Sequence, residues 1–140
     1  MGHEFHDFRG RSLSMNNGDI EEVMAWLGYA SRLADRGTDI PEGVWGLIED
    51  WDHGLVHGIG SVCPQPRFDD FLKADGDVAA FLTLLEEAEG IVRSFGEVRP
   101  GECVNALNVS GEYQDRPVGD VVRAMHAVRG LISGEGWKAE

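Results

Sequence analysis

Residues 49–58, EDWDHGLVHG, hold the densest chemistry of the chain. On a helix running through them, Glu49, His53 and His57 would stand four residues apart on one face. Imidazole nitrogens and a carboxylate so arranged are donors suited to a zinc-class metal. One reading is therefore a metal-dependent enzyme built on these three residues. Glycine opposes it. Gly54 follows His53 directly, and Leu55 supplies the apolar contact that accompanies a helix C-terminal cap. The helix is expected to end at His53, leaving His57 in a loop and the column unformed. His53 then has an ordinary task, meeting the free carbonyls and the negative dipole end of the last turn. The spacing is not that of the H-E-x-x-H motif, and His3 and His6 belong to a segment that reads as a loose arm.

Other reactive patterns are absent from the sequence. Cys63, in SVCPQP, and Cys103, in GECVNAL, have no histidine close in sequence and form no C-x-x-C, so they read as two buried thiols, with one disulfide between them as the rival. His126 reads as a structural histidine of a helix. No G-x-S-x-G or phosphate-binding loop occurs, and no G-x-G-x-x-G follows a strand. No catalytic residue and no cofactor is expected.

Charge points toward partners instead. Acids outnumber bases 25 to 12, a net charge of -13, and residues 19–60 alone carry nine acids and two bases. Such a field repels nucleic-acid phosphates and anionic membranes, and it speeds encounter with basic protein surfaces. No apolar stretch approaches the ~18 residues of a membrane span. The N-terminus lacks the basic-then-apolar run of a secretory signal. A cytoplasmic protein is expected.

The elements that must carry these residues are mostly helical. Helices are expected over about 19–36, from 41 to 53, over 77–95 and over 118–132, from apolar residues recurring at helical period. A short helix or turn is expected at 68–73 and a short helix within 101–113, with a strand pair as the rival there. GDI at 18 and GDV at 76 and 119 each open a helix, with the aspartate read as the N-cap. The fold class is mainly α, an antiparallel bundle of four main helices plus one or two short helical turns. At 140 residues one domain is the natural size, with loose ends at about 1–16 and 134–140.

On the first helix, Trp26, Tyr29 and Leu33 form a second stripe beside the core stripe, and Trp45 points away from the core side of the next helix. A helix apolar on two faces is either central in its bundle or presents a patch. Tryptophan and tyrosine are favoured anchors of protein interfaces. With Glu22, Glu42, Glu49, Asp50 and Asp52 around Trp26, Tyr29 and Trp45, the expected surface is an aromatic centre in an acidic surround. That suits a basic protein partner. The expectation is an acidic inhibitor or immunity-type protein docking on a toxin or nuclease. The alternatives are the metal-dependent enzyme and a regulatory subunit or homo-oligomer that buries the same surface.

Overall fold

The computed structural model describes residues 3–33, 40–57, 66–107 and 113–135, the side chains of 3–4 and 54–57 excepted. The described residues are mostly helical, with two small two-stranded antiparallel sheets among them. Among the described residues, no helix is long and apolar enough to cross a membrane.

The first element corrects the expectation of a loose arm. Strands β1 (His3–Phe8) and β2 (Arg11–Asn16) pair in register from Phe8↔Arg11 to His3↔Asn16. Arg9 and Gly10 make the turn with φ 49° and 81°. Two successive positive φ values belong to the tight turn whose twist matches the strands, and glycine adopts its own at no steric cost. Phe8 and Met15 are buried in the core, whereas Phe5 and Asp7 alternate outward. The Arg11 guanidinium donates to the carbonyls of Leu131 and Ile132 at 2.8 and 3.0 Å, fastening the hairpin to the end of the last helix.

Helix α1 (Asn17–Ser31) starts two residues before the expected position and ends five before it. Asn16 is its N-cap, with the side chain accepting from the Gly18 amide at 2.8 Å. Asp19 thus sits at the third helical position, not at the cap. The same correction applies to Asp77 and Asp120, whose helices are capped at Ala74 and Pro117. From there Asp77 reaches back to the Ala74 amide at 3.2 Å, and all three carboxylates still meet the positive dipole end.

Helix α2 runs Glu42–His57, straight through Gly54, so the expected stop at His53 is wrong. One glycine costs only about 1 kcal/mol in a helix interior, and α2 buries Val44, Leu47, Ile48 and Trp51 on one face. Gly43 lets α2 approach the short helix α3 (Phe68–Phe71) closely, since a Cβ there would lie 2.5 Å from the Phe71 carbonyl oxygen. Helix α4 (Asp75–Arg93) buries Phe81, Leu84, Leu85, Ala88 and Val92. Strand β3 (Val98–Arg99) leads into α5 (Gly101–Asn105) and pairs with β4 (Arg116–Pro117), so the 101–113 region holds a short helix and is flanked by a minimal strand pair. Helix α6 (Val118–Ser133) buries eight residues, among them Val121, Met125 and Val128.

Helix α1 lies at the centre of this arrangement. It packs against α2, α4, α6 and β2, and Ile20, Val23, Met24, Leu27 and Ala30 all belong to the core. Two apolar stripes on one helix here mean a helix covered on both sides.

Candidate functional site

Centrality decides the fate of two residues expected at a docking surface. Glu22 and Trp26 are both interior, with 1% and 2% of their surface exposed. A buried carboxylate is tolerable only when paired and hydrogen-bonded. Glu22 meets that demand fully. Its Oε2 accepts from Arg99 Nε at 2.6 Å and from the Trp26 indole at 3.2 Å. Its Oε1 accepts from Arg99 Nη2 at 2.9 Å and from Arg116 Nη1 at 3.3 Å. Arg99 is as buried as its partner, and its Nη1 donates to the Gln114 carbonyl at 2.7 Å. This fork-to-fork geometry is the strongest form of the pair. The Trp26 ring also packs edge-on against Tyr29, 5.9 Å between centroids, and against Phe95.

Around this pair the chain folds a polar lock. Arg116 donates to Asp19 at 2.6 Å. Burial pulls the Arg116 guanidinium down, but its hydrogen bond to Asp19 and the charges of Asp19 and Glu22 outweigh that and hold its pKa above the usual value. Tyr113 donates its hydroxyl to Glu21, and the Asn105 side chain bonds both the N–H and the carbonyl of Tyr113. Asp115 accepts from the Gly101 amide at 2.8 Å. Gly101 has no room for a side chain, because a Cβ would lie 2.1 Å from the Tyr113 carbonyl oxygen.

These residues wall a cleft of about 520 Å³, lined by Asn16, Asp19, Glu22, Arg99, Tyr113 and Arg116 among others. A second hollow of about 380 Å³ shares Asn16, Asp19 and Arg116. The Glu22, Arg99, Arg116 and Asp19 charges are engaged with one another, so what the cleft does chemically is hold α1 to β3 and β4. Arg99 and Arg116 were not legible as functional. The partner of Arg99 lies 77 residues away in sequence, and the available hint was the Glu22–Trp26 spacing of four, which put both on one side of α1.

The other expected residues lie outside. On α2, Glu42, Trp45, Glu49, Asp52 and His53 fall within one narrow arc, opposite Val44, Leu47, Ile48 and Trp51. Glu42 and Glu49 are exposed and Trp45 is half-buried between them. Asp52 is paired with Arg32 at the end of α1. Asp50 accepts two bonds from Arg67, at 2.6 and 3.1 Å, which hold the Arg67 pKa above its ordinary value. Tyr29 is 39% exposed, its ring in a T-shaped contact with buried Trp26. Six of the eight residues thus remain on or near the surface, while Glu22 and Trp26 have moved inside because Arg99 needs one and the core needs the other.

Since α2 continues to His57, its backbone places Glu49, His53 and His57 at successive steps of four on one helix. The His57 side chain lies outside the described residues, as does Cys63. Among the described residues no group of three or more histidines, cysteines and acids is placed to hold a metal. His6 is buried on β1, and Cys103 is a half-buried free thiol. His126 is exposed and lies 2.9 Å from Glu89, bridging α6 and α4.

Compared with protein-family models, with curated proteins and with solved structures, the chain matches none.

Proposed function

We propose that this is an acidic protein-binding protein, an inhibitor or immunity-type module of the cytoplasm that docks on a basic protein such as a toxin or nuclease. Its frame in this reading is an antiparallel bundle of the four long helices, forming one domain around α1. The observation that carries the reading is the outer arc of α2. Two exposed carboxylates, Glu42 and Glu49, have no partner among the described residues and flank the half-buried ring of Trp45. A tryptophan edge inside an acidic surround is the composition of an interface anchor aimed at a cationic surface. Tyr29 and the Arg32–Asp52 pair extend the face toward the end of α1. A net charge of -13 adds long-range steering toward the same class of partner.

The test is capture of a partner from the source cell, followed by titration with the purified pair. The partner should carry a basic surface, and its affinity should fall steeply with salt. Glu49→Lys and Trp45→Ala should each weaken it while leaving the helical circular dichroism intact. Unchanged affinity in both variants overturns the reading.

A second reading, the metal-dependent enzyme, is favoured by the continuation of α2 through Gly54. Metal analysis of the purified protein decides it. Stoichiometric zinc, iron or manganese that is lost in His53→Ala would support it, and its absence after purification without chelators would dismiss it.

A further inference from the structure

The tight Arg9–Gly10 turn fixes which backbone groups of β1 face its partner. Phe8 and Arg11 close that turn as a hydrogen-bonded pair, and such pairs alternate along an antiparallel ladder. Glu4, His6 and Phe8 therefore turn their N–H and C=O groups toward β2. Phe5 and Asp7 turn theirs away, and those groups have no partner among the described residues. An open strand edge of this kind is a template for another strand. Beside it runs a groove of about 200 Å³ lined by Phe5, Asp7, Arg67, Asp69 and Asp70 among others. The Phe5 ring is 67% exposed, the most exposed large apolar side chain among the described residues. Besides the buried His6, the groove's titratable side chains are the acids Asp7, Asp69 and Asp70 and the base Arg67, which is held by Asp50 and also lies 3.5 Å from Asp70.

We infer that the free edge of β1 receives an extended, basic segment of a partner protein as a third strand. Outward main-chain groups of Phe5 and Asp7 supply the hydrogen bonds, and the side chains beside them supply selectivity. Phe5 and Asp7 share one sheet face, so the incoming segment carries an apolar residue against Phe5 and a lysine or arginine two positions away against Asp7. Charge selects this occupant over a second copy of the chain. Two copies pairing edge to edge would bring Asp7 and the acids of the groove toward their own kind in molecules that each carry -13. The inference shares the basic-partner reading above but rests on a different surface, and the two fail separately.

The probe is an eight-residue peptide repeating Val-Val-Lys-Lys, which sets a valine and a lysine two positions apart on each strand face, titrated into the full chain by fluorescence anisotropy. Controls are the same peptide with alternate amides N-methylated and a glutamate–valine peptide of equal length. Lysine–valine binding with added hydrogen-exchange protection at Phe5 and Asp7 is the expected result. Asp7→Pro deletes an outward N–H without touching the ladder to β2, and should weaken binding by about ten-fold, as should N-methylation. Phe5→Lys should weaken it as well, which keeps the test open if the proline variant misfolds. Trp45→Ala should leave peptide affinity unchanged; loss there instead would move the peptide to α2 and overturn the β1 site alone. Absence of binding, equal binding of the N-methylated or acidic peptide, or a dimer of the free protein that Phe5→Lys makes monomeric would each overturn it too.

Discussion

Glu22 with Trp26 on α1, and Trp45 with Glu49 on α2, are the same two residue types at the same spacing of four on packed helices. The first pair is sealed in the interior and the second faces solvent. The difference is what lies across from each. Opposite Glu22 the chain brings Arg99, whose fork satisfies both carboxylate oxygens, and the indole completes the set. Opposite Glu49 there is no cation among the described residues, and the α2 core is already complete with Leu47, Ile48 and Trp51 on the other side. A carboxylate beside a tryptophan is thus a buried lock where a distant arginine answers it and a candidate docking element where none does.

The largest effect should come from removing that answer. Arg99→Ala leaves the buried Glu22 carboxylate with only the long Arg116 contact and the Trp26 indole and should cost about 3–5 kcal/mol of unfolding free energy in urea. The double variant Glu22→Leu with Arg99→Met should recover most of the loss, because an apolar pair of similar volume needs no compensation. A loss under about 1 kcal/mol for Arg99→Ala would mean that the pair is hydrated and that the contrast with α2 is false.

A second effect sharpens the same contrast by pressing on the wall of the lock without touching its charges. Gly101→Ala drives a methyl into the Tyr113 carbonyl and should cost about 1–3 kcal/mol. It should also loosen the 113–116 segment, read as faster amide exchange at Tyr113, since the Asn105 and Asp115 bonds depend on that close approach. On the solvent side Glu49→Lys should move stability by no more than about 0.5 kcal/mol, whatever it does to binding. A destabilisation as large as that of Gly101→Ala would show that Glu49 has an internal role.

Sequence pattern alone carried α4 and α6 well, for a physical reason. In α4 and α6 the apolar residues recur at helical period and a Gly-Asp pair marks the first turn, so local preference and burial agree. The hairpin was missed because in HEFHDF the two phenylalanines stand three apart on opposite strand faces, and in RSLSMN only Leu13 and Met15 alternate with polar residues, so no sustained period of two shows and the segment reads as a polar arm. The Arg-Gly dipeptide between two six-residue runs was the signal available. Gly54 misled in the opposite direction: its local cost is small against the burial of Trp51 and Ile48, and tertiary packing won. The docking residues divided for a reason that no local pattern holds. Whether Glu22 is inside depends on Arg99 and Arg116, which reach it only through the pairing of β3 with β4.

The smallest effect concerns a third carboxylate, intermediate between the other two. Glu89 on α4 is mostly covered and accepts from Arg93 at 2.7 Å and from Arg129 at 3.1 Å, with His126 of α6 at 2.9 Å. Partial burial pushes its pKa up, but the bonds and charges of Arg93 and His126 outweigh that and hold it below its ordinary value near 4.5. A carboxylate depressed on folding stabilises the native state above its unfolded pKa, and that contribution drains away as pH falls through the folded one. Stability of the protein should therefore decline below about pH 4.5, and Glu89→Gln should flatten part of that decline while lowering the neutral-pH plateau slightly. Urea midpoints measured from pH 7 to pH 3 for both proteins read the difference directly. Parallel curves would show that Glu89 is as solvated as Glu49, leaving Glu22 as the one carboxylate of the three that the fold uses from within.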